Sequence, residues 1–423
     1  MARRMILPLV AAIMTPALMS ATADPSNDPT DTISRSLDEG RDLSAVEQLR
    51  AMAFRKDGSI ADDGAAWMWG QYSPRLNGMI DTTAFEHANP GKPATQEDIA
   101  AVTSAEHRDA ISTIVRMARN RQIVILNEEH DAPEDRAFGL SVAKALRPLG
   151  FSMLAVETFT NAGNLSFTDM PALAVRGYPI RKTGTYTGDP AFGDFMRQAL
   201  RLGYKPISYE ETYEQFGPKG GDPVVARELA QATNLAASIA RTPQAKFLIY
   251  VGYSHAAKTP LHDSRGPKTH VWMAARLKAM TGLDPLSIDQ TSFGAANVSQ
   301  SSRLLRNIVQ RRGVRSPVTL FTGGKPLLVG NYRDAVDLQV IHPVTRIVHG
   351  RPDWLETMGR HPVRPARSLV PKTGRSLVQA FIASEKDDAV PVDQVVLEPD
   401  KTRWFMLPRE PVRYVVKEHL PAS

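Results

Sequence analysis

Ile123-Val124-Ile125-Leu126-Asn127-Glu128-Glu129-His130 is an unbroken apolar run that ends abruptly in an amide, two carboxylates and an imidazole. Four aliphatic residues in a row read as a strand covered on both faces, because a strand with one wet face alternates. The same form recurs four times. Residues 152–156 precede Glu157-Thr158, 206–209 precede Glu210-Glu211, 247–251 precede Gly252-Tyr253-Ser254-His255, and 286–288 precede Asp289-Gln290. Helical spacing fills the intervals: Phe138, Val142, Ala145 and Leu149, then Val225, Leu229, Ala232, Ala236 and Ile239, while Asp189-Pro190 supplies an N-cap and an N1 proline for a helix ending near Gly203. Strand and helix in alternation predict an α/β domain over residues 95–300, a mainly parallel β-sheet flanked by helices.

Outward from that domain, Arg3-Arg4 precede an apolar run over 5–18 and the small residues Ser20-Ala21-Thr22-Ala23. This predicts a signal peptide over 1–23, too short for a permanent membrane anchor, and so an exported protein, periplasmic or secreted, without stable membrane insertion. Residues 24–94 read as an N-terminal arm with a helix over 43–55 and irregular sequence around Trp67, Trp69 and Tyr72. A helix over 104–120 opens the α/β domain. Beyond residue 300 the helical pattern fades, and short runs at 318–322, 327–332, 336–341, 377–383, 392–397 and 412–417 alternate between prolines. They predict a small, Pro-rich antiparallel β subdomain over 301–423, with 362–371 as a loop.

Composition narrows the chemistry. None of the 423 residues is cysteine, which removes disulfides, zinc–thiolate sites, iron–sulfur clusters and thiol nucleophiles, so any metal must be held by His, Asp or Glu. The 51 Lys and Arg against 45 Asp and Glu are dispersed, which argues against nucleic acid as a partner. Ser254 does not stand in Gly-x-Ser-x-Gly, so it is not a nucleophile elbow, and Gly323-Gly324-Lys325 lacks the context of a phosphate loop.

Ligands of an open parallel sheet bind at the carboxyl ends of its strands, and here all five ends are polar. A carboxylate directly after a core strand, as at Glu157, needs a partner. Glu210 and Glu211 are adjacent and point to different sides, so one of them at most faces a site. Arg227, Gln231 and Asn234 share a helix face, either a solvated stripe or an anion or carbonyl clamp. Two chemistries suit such an edge. Imidazole and carboxylate can bind Mn, Zn, Co or Fe and activate a water, or a carboxylate can orient an imidazole that removes the proton itself. His262, His270, His342, His349, His361 and His419 read as structural or surface residues.

At these residues the sequence resembles a known superfamily. The run 123–130 looks like the strand-plus-Gly-Glu-x-His opening of ChaN-like proteins, grouped with Tiki, TraB/PrgY/GumN and, more distantly, erythromycin esterase. Gly252-Tyr253-Ser254-His255 is similar to the second Gly-x-x-His motif of Tiki-type proteins, and Glu157 falls where that group has a glutamate. The resemblance covers residues 123–290. It implies a metal-dependent peptidase- or esterase-like hydrolase of small molecules or peptides. Its metal candidates are His130, Glu157 and His255, with Glu128 as the matching glutamate and Arg227 as the arginine preceding the last motif. Glu128, His130, Glu157 and His255 are then the catalytic candidates, and Glu210, Arg227 and Gln290 the substrate-binding ones. Asn127 departs from the pattern by replacing its glycine. The ChaN members imply an alternative, haem or iron binding in the periplasm. A catalytically degenerate cell-envelope interaction protein is a third expectation.

Overall fold

A computed structural model describes residues 29–79, 81, 93–161, 170–215, 222–262, 268–297 and 299–422. The expected signal segment lies outside them. All five apolar runs are strands: β1 (Ile123–Glu128), β2 (Phe151–Val156), β3 (Lys205–Ile207), β4 (Lys246–Gly252) and β5 (Leu286–Asp289). With β6 (Leu338–Gln339) they form a six-stranded parallel sheet in the order β6-β5-β1-β4-β2-β3. The α/β reading therefore holds.

Each central strand buries both faces, and successive side chains serve opposite layers. Val124 and Leu126 of β1, with Leu248 and Tyr250 of β4, pack against α1 (Pro133–Leu146) and α2 (Pro190–Arg201). Ile123, Ile125, Phe247 and Ile249 face α3 (Pro223–Arg241) and α4 (Met273–Thr281) on the other side. The N-cap predicted for α2 is present, Asp189 Oδ1 accepting from Phe192 N at 2.9 Å. From β1 the chain passes over one face to β2, beyond β4; from β4 it passes over the other face to β5, beyond β1. Neighbouring strands thus send the chain in opposite directions, which opens a crevice at their carboxyl ends.

Other expectations change. Residues 104–120 are not one helix: Glu106–Asp109 is a strand antiparallel to Val318–Thr322, and the helix Ala110–Ala118 begins only at the Asp109 N-cap. Residues 63–72, expected to be irregular, form the helix Asp63–Tyr72, capped by Asp62 accepting from Ala65 N at 2.7 Å. Past residue 300 lies a further helix, Gln300–Gln310, and β6 joins the parallel sheet instead of an antiparallel one. Within 362–371, part of the expected loop pairs as His361–Val363 with Phe405–Leu407. Val225 and Leu229 of α3 are exposed, although their spacing suggested core.

The C-terminal region contains an antiparallel sheet of β7 (Arg375–Ile382), β8 (Asp393–Leu397) and β9 (Val412–Leu420), with β7 central, beside two-stranded antiparallel pairs. The N-terminal helix Asp42–Ala53 docks here, its Leu43, Val46 and Leu49 packing with Leu377 and Val396. Glu418 of β9 caps that helix, accepting from Leu43 N at 2.9 Å and Ser44 N at 3.1 Å. A buried ion pair ties this sheet's surroundings to the α/β layers: Arg197 of α2 grips Glu385 through Nε at 2.7 Å and Nη2 at 2.6 Å; within the C-terminal region Arg351 grips Asp393 of β8 at 2.9 and 2.7 Å. No described helix is long and apolar enough to cross a membrane.

Candidate functional site

Glu128, His130, Glu157, Glu210, Arg227 and His255 converge in the crevice between β1 and β4. Glu128 is the last residue of β1 and is buried against Arg136 of α1, which donates to it from Nε at 3.0 Å and Nη2 at 3.3 Å. Burial would raise the Glu128 pKa, but Arg136 and His130 outweigh it, so the carboxyl titrates below its ordinary value. Its Oε1 lies 3.0 Å from His130 Nδ1. A carboxylate can only accept, so Nδ1 carries the proton. Nε2 of His130 has no hydrogen-bond partner among the described residues. Arg136 also donates to the His130 carbonyl at 2.7 Å, which fixes the loop as well as the ring's partner.

The His130 ring is walled on three sides. Tyr186 stacks on it with centroids 4.1 Å apart, Tyr253 meets it edge-on at 5.1 Å, and the Gly252 backbone lies below. A Cβ at Gly252 would stand 2.5 Å from His130 Cε1 and 3.1 Å from Glu157 Oε2. Gly252→Ala is therefore expected to cost about 1–3 kcal/mol in a urea melt through overpacking. A loss under about 0.5 kcal/mol would show that the ring does not sit there.

Glu157 follows β2 and is the hub of the other half. Oε2 accepts from Gly252 N, and Oε1 accepts from Arg227 Nη2 at 2.7 Å and lies 3.3 Å from His255 Nε2. Burial opposes ionisation, yet His255 and Arg227 hold the carboxyl well below the usual range. His255 Nδ1 lies 2.7 Å from Glu228 Oε1, and Glu228 Oε2 accepts from Met273 N at 2.6 Å. Burial alone would lower the His255 pKa; Glu228 and Glu157 at its two nitrogens raise it to about 10. The ring is then imidazolium at neutral pH. Arg227 Nη1 lies 3.1 Å from His255 Nε2, so the guanidinium and the ring meet at the same Glu157 carboxylate.

Arg227 Nε also donates to Glu210 Oε1 at 3.0 Å, and Gln231 Nε2 to Glu210 Oε2 at 3.0 Å. Asn234 Nδ2 reaches the carbonyls of Tyr209 and Glu210 at 3.2 and 2.9 Å. The polar stripe of α3 is thus a clamp on the β3 loop, and of the adjacent pair Glu210 is the inward residue. Gln290 lies apart from this group. It is fully buried, its Nε2 donating to Asn127 O at 2.6 Å and its Oε1 3.0 Å from His342 Nε2. Glu129, next to His130, turns toward Gly294, and burial together with Asp131 raises its pKa well above the ordinary value.

Five site residues were not singled out from sequence: Arg136, Tyr186, Glu228, Tyr253 and Trp272, the last edge-on to His255 at 5.6 Å. Glu228 had one usable signal, a charge beside Arg227 that helix geometry turns by about 100° toward the core. Tyr186, in an irregular connection, had none.

No family model matches the chain, and no curated protein matches it. Among solved structures it is similar to RRSP, a MARTX toxin effector domain from Vibrio vulnificus CMCP6, at 12% identity over 62% of this chain and 45% of that one, with a TM-score of 0.31. It is similar to the type III effector HopBA1 at 18% identity over 46% and 89%, TM-score 0.28. The C-terminal region of Pasteurella multocida toxin is 11% identical over 81% and 50%, TM-score 0.31. The chain spans under half the length of the first of these and half that of the last. Overlaps this low carry no inference about chemistry.

Proposed function

We propose that this chain is a hydrolase of small-molecule esters or peptides whose crevice works by metal-free acid–base catalysis. One observation carries the reading: Glu128, anchored by Arg136, holds the Nδ1 proton of His130 and leaves Nε2 without a partner among the described residues. Nε2 takes a proton from water as the water oxygen bonds to the substrate's carbonyl carbon. The imidazolium formed is stabilised by Glu128. It returns the proton to the leaving oxygen or nitrogen as the scissile bond breaks. Arg227 and His255, held with Glu157, Glu210 and Glu228 in one ion-pair cluster, form the wall of the crevice beside the base. The resemblance to Tiki-type proteins supports a hydrolase, and the signal-like residues 1–23 support export.

The residues do not fit a divalent metal at His130, Glu157 and His255. Both Glu157 oxygens have donors, both His255 nitrogens face carboxylates, and the Arg227 guanidinium fills the space among Glu157, Glu210 and His255. No group of three or more His, Asp or Glu among the described residues forms a metal site. The reading therefore assigns no step to a metal.

Protein purified without chelator is expected to hold no stoichiometric metal by elemental analysis, to show no saturable Soret shift with haemin, and to cleave p-nitrophenyl butyrate or labelled casein. Stoichiometric Mn, Zn, Co or Fe whose removal stops turnover would overturn the metal-free mechanism. Activity is expected to fall above about pH 10 as His255 loses its proton. Glu228→Gln removes the carboxylate at Nδ1 and shifts that limb to lower pH. Stability follows the same sign: with a folded pKa of about 10 against an ordinary 6.5, His255 contributes stability fully present below about pH 6.5 and lost as pH rises through about 10. The variant should flatten that slope.

A further inference from the structure

We infer that Asn127 is a positioning residue that sets the His130 ring through the backbone of Tyr253. Tyr253 has φ +40°, and the only other non-glycine with positive φ among the described residues is His349. A bulky aromatic enters the left-handed region only where its surroundings hold it there. The holding contact is on the page: Asn127 Nδ2 donates to Tyr253 O at 3.0 Å.

Asn127 is itself locked by polarity. It is fully buried; Nδ2 also donates to Asp289 Oδ1 at 3.0 Å, and Oδ1 accepts from Gln290 N at 2.8 Å. Asp289 is fixed in turn, accepting from Thr291 N and Oγ1 at 2.9 Å and from Gln339 Nε2 at 3.1 Å. The amide cannot flip without setting its oxygen against two acceptors and its nitrogen against a donor. So the residues at the end of β5 fix Asn127, Asn127 fixes the Tyr253 carbonyl, and the left-handed Tyr253 sets its ring perpendicular to that of His130, on which Tyr186 stacks. One side chain at the end of β1 thereby joins the ends of β4 and β5, and its effect reaches Nε2 of His130 without touching it.

The inference deepens the reading of His130 as the base, and its test needs no turnover. In protein carrying 15N in the histidine rings, the parent is expected to give one sharp His130 signal pair with Nδ1 protonated and Nε2 bare. Asn127→Ala should double or average that pair and Tyr253→Ala should do the same. Asn127→Ser, which keeps a single donor, gives the same measurement with a milder change if Asn127→Ala does not fold. A folded Asn127 variant whose His130 signals match the parent, with or without an effect of Tyr253→Ala, overturns the inference. Parent protein with the expected signals but no cleavage of p-nitrophenyl butyrate or labelled casein sinks the hydrolase reading and leaves this one standing.

Discussion

His130→Ala is expected to fold like the parent and to lose about 10²–10⁴-fold in kcat/KM on p-nitrophenyl butyrate, the range that a positioned general base supplies. The loss comes from Nε2, since the other imidazole described in the crevice, His255, is held between Glu228 and Glu157, which raise its pKa to about 10. The fold should survive because the ring lies over the sheet's end instead of inside its layers. What alanine removes there is a stacked contact with Tyr186 and an edge contact with Tyr253, each worth about 0.5–1.5 kcal/mol. Glu128→Gln should act more mildly on rate, for it keeps the shape but removes the charge that stabilises the imidazolium. A His130→Ala protein within threefold of the parent's kcat/KM would end the assignment of His130 as base.

The second large effect lies far from the crevice. Arg197→Met leaves Glu385 buried without its bidentate partner, and removing one half of a buried pair costs about 3–5 kcal/mol. Arg197 also donates to the carbonyl of Val390, so the variant strips a second acceptor in the same stroke. The double variant Arg197→Met with Glu385→Leu should recover most of the loss, because replacing both charges by apolar groups of similar size leaves nothing unpaired. Urea melts of parent, single and double variants decide it. A single variant within about 1 kcal/mol of the parent would show that the pair is not buried in solution.

How far the chain could be read in advance follows from which interactions make each element. The central strands β1, β2 and β4 were legible because each is an apolar run covered on both faces, a property of the strand alone. β6, two residues long, is a strand only because β5 lies beside it, and Glu106–Asp109 is polar throughout and takes its conformation from Val318–Thr322. Gln300–Gln310 escaped because it buries only Leu305 and Val309, too narrow a stripe to rise above its Ser and Arg residues. The site divides in the same way. His130, Glu157, Glu210 and His255 sit where strands end, so topology delivers them. Arg136, Glu228 and Tyr186 arrive by helix phase or by an irregular connection, which local pattern does not encode. Asn127, marked only as a departure from a glycine, turns out to tie the ends of β4 and β5 to that of β1.

Leu43 and Glu418 are 375 residues apart along the chain, yet one caps the other's helix. During synthesis the helix Asp42–Ala53 leaves the ribosome early with Leu43, Val46 and Leu49 facing water, and the sheet that covers them does not exist until β7 to β9 have been made. A chain stopped short of that point carries a bare apolar stripe at its beginning, the kind of surface that chaperones and proteases engage. The same contact that holds the folded molecule together thus tells a chain that has made β7 to β9 from one interrupted before them.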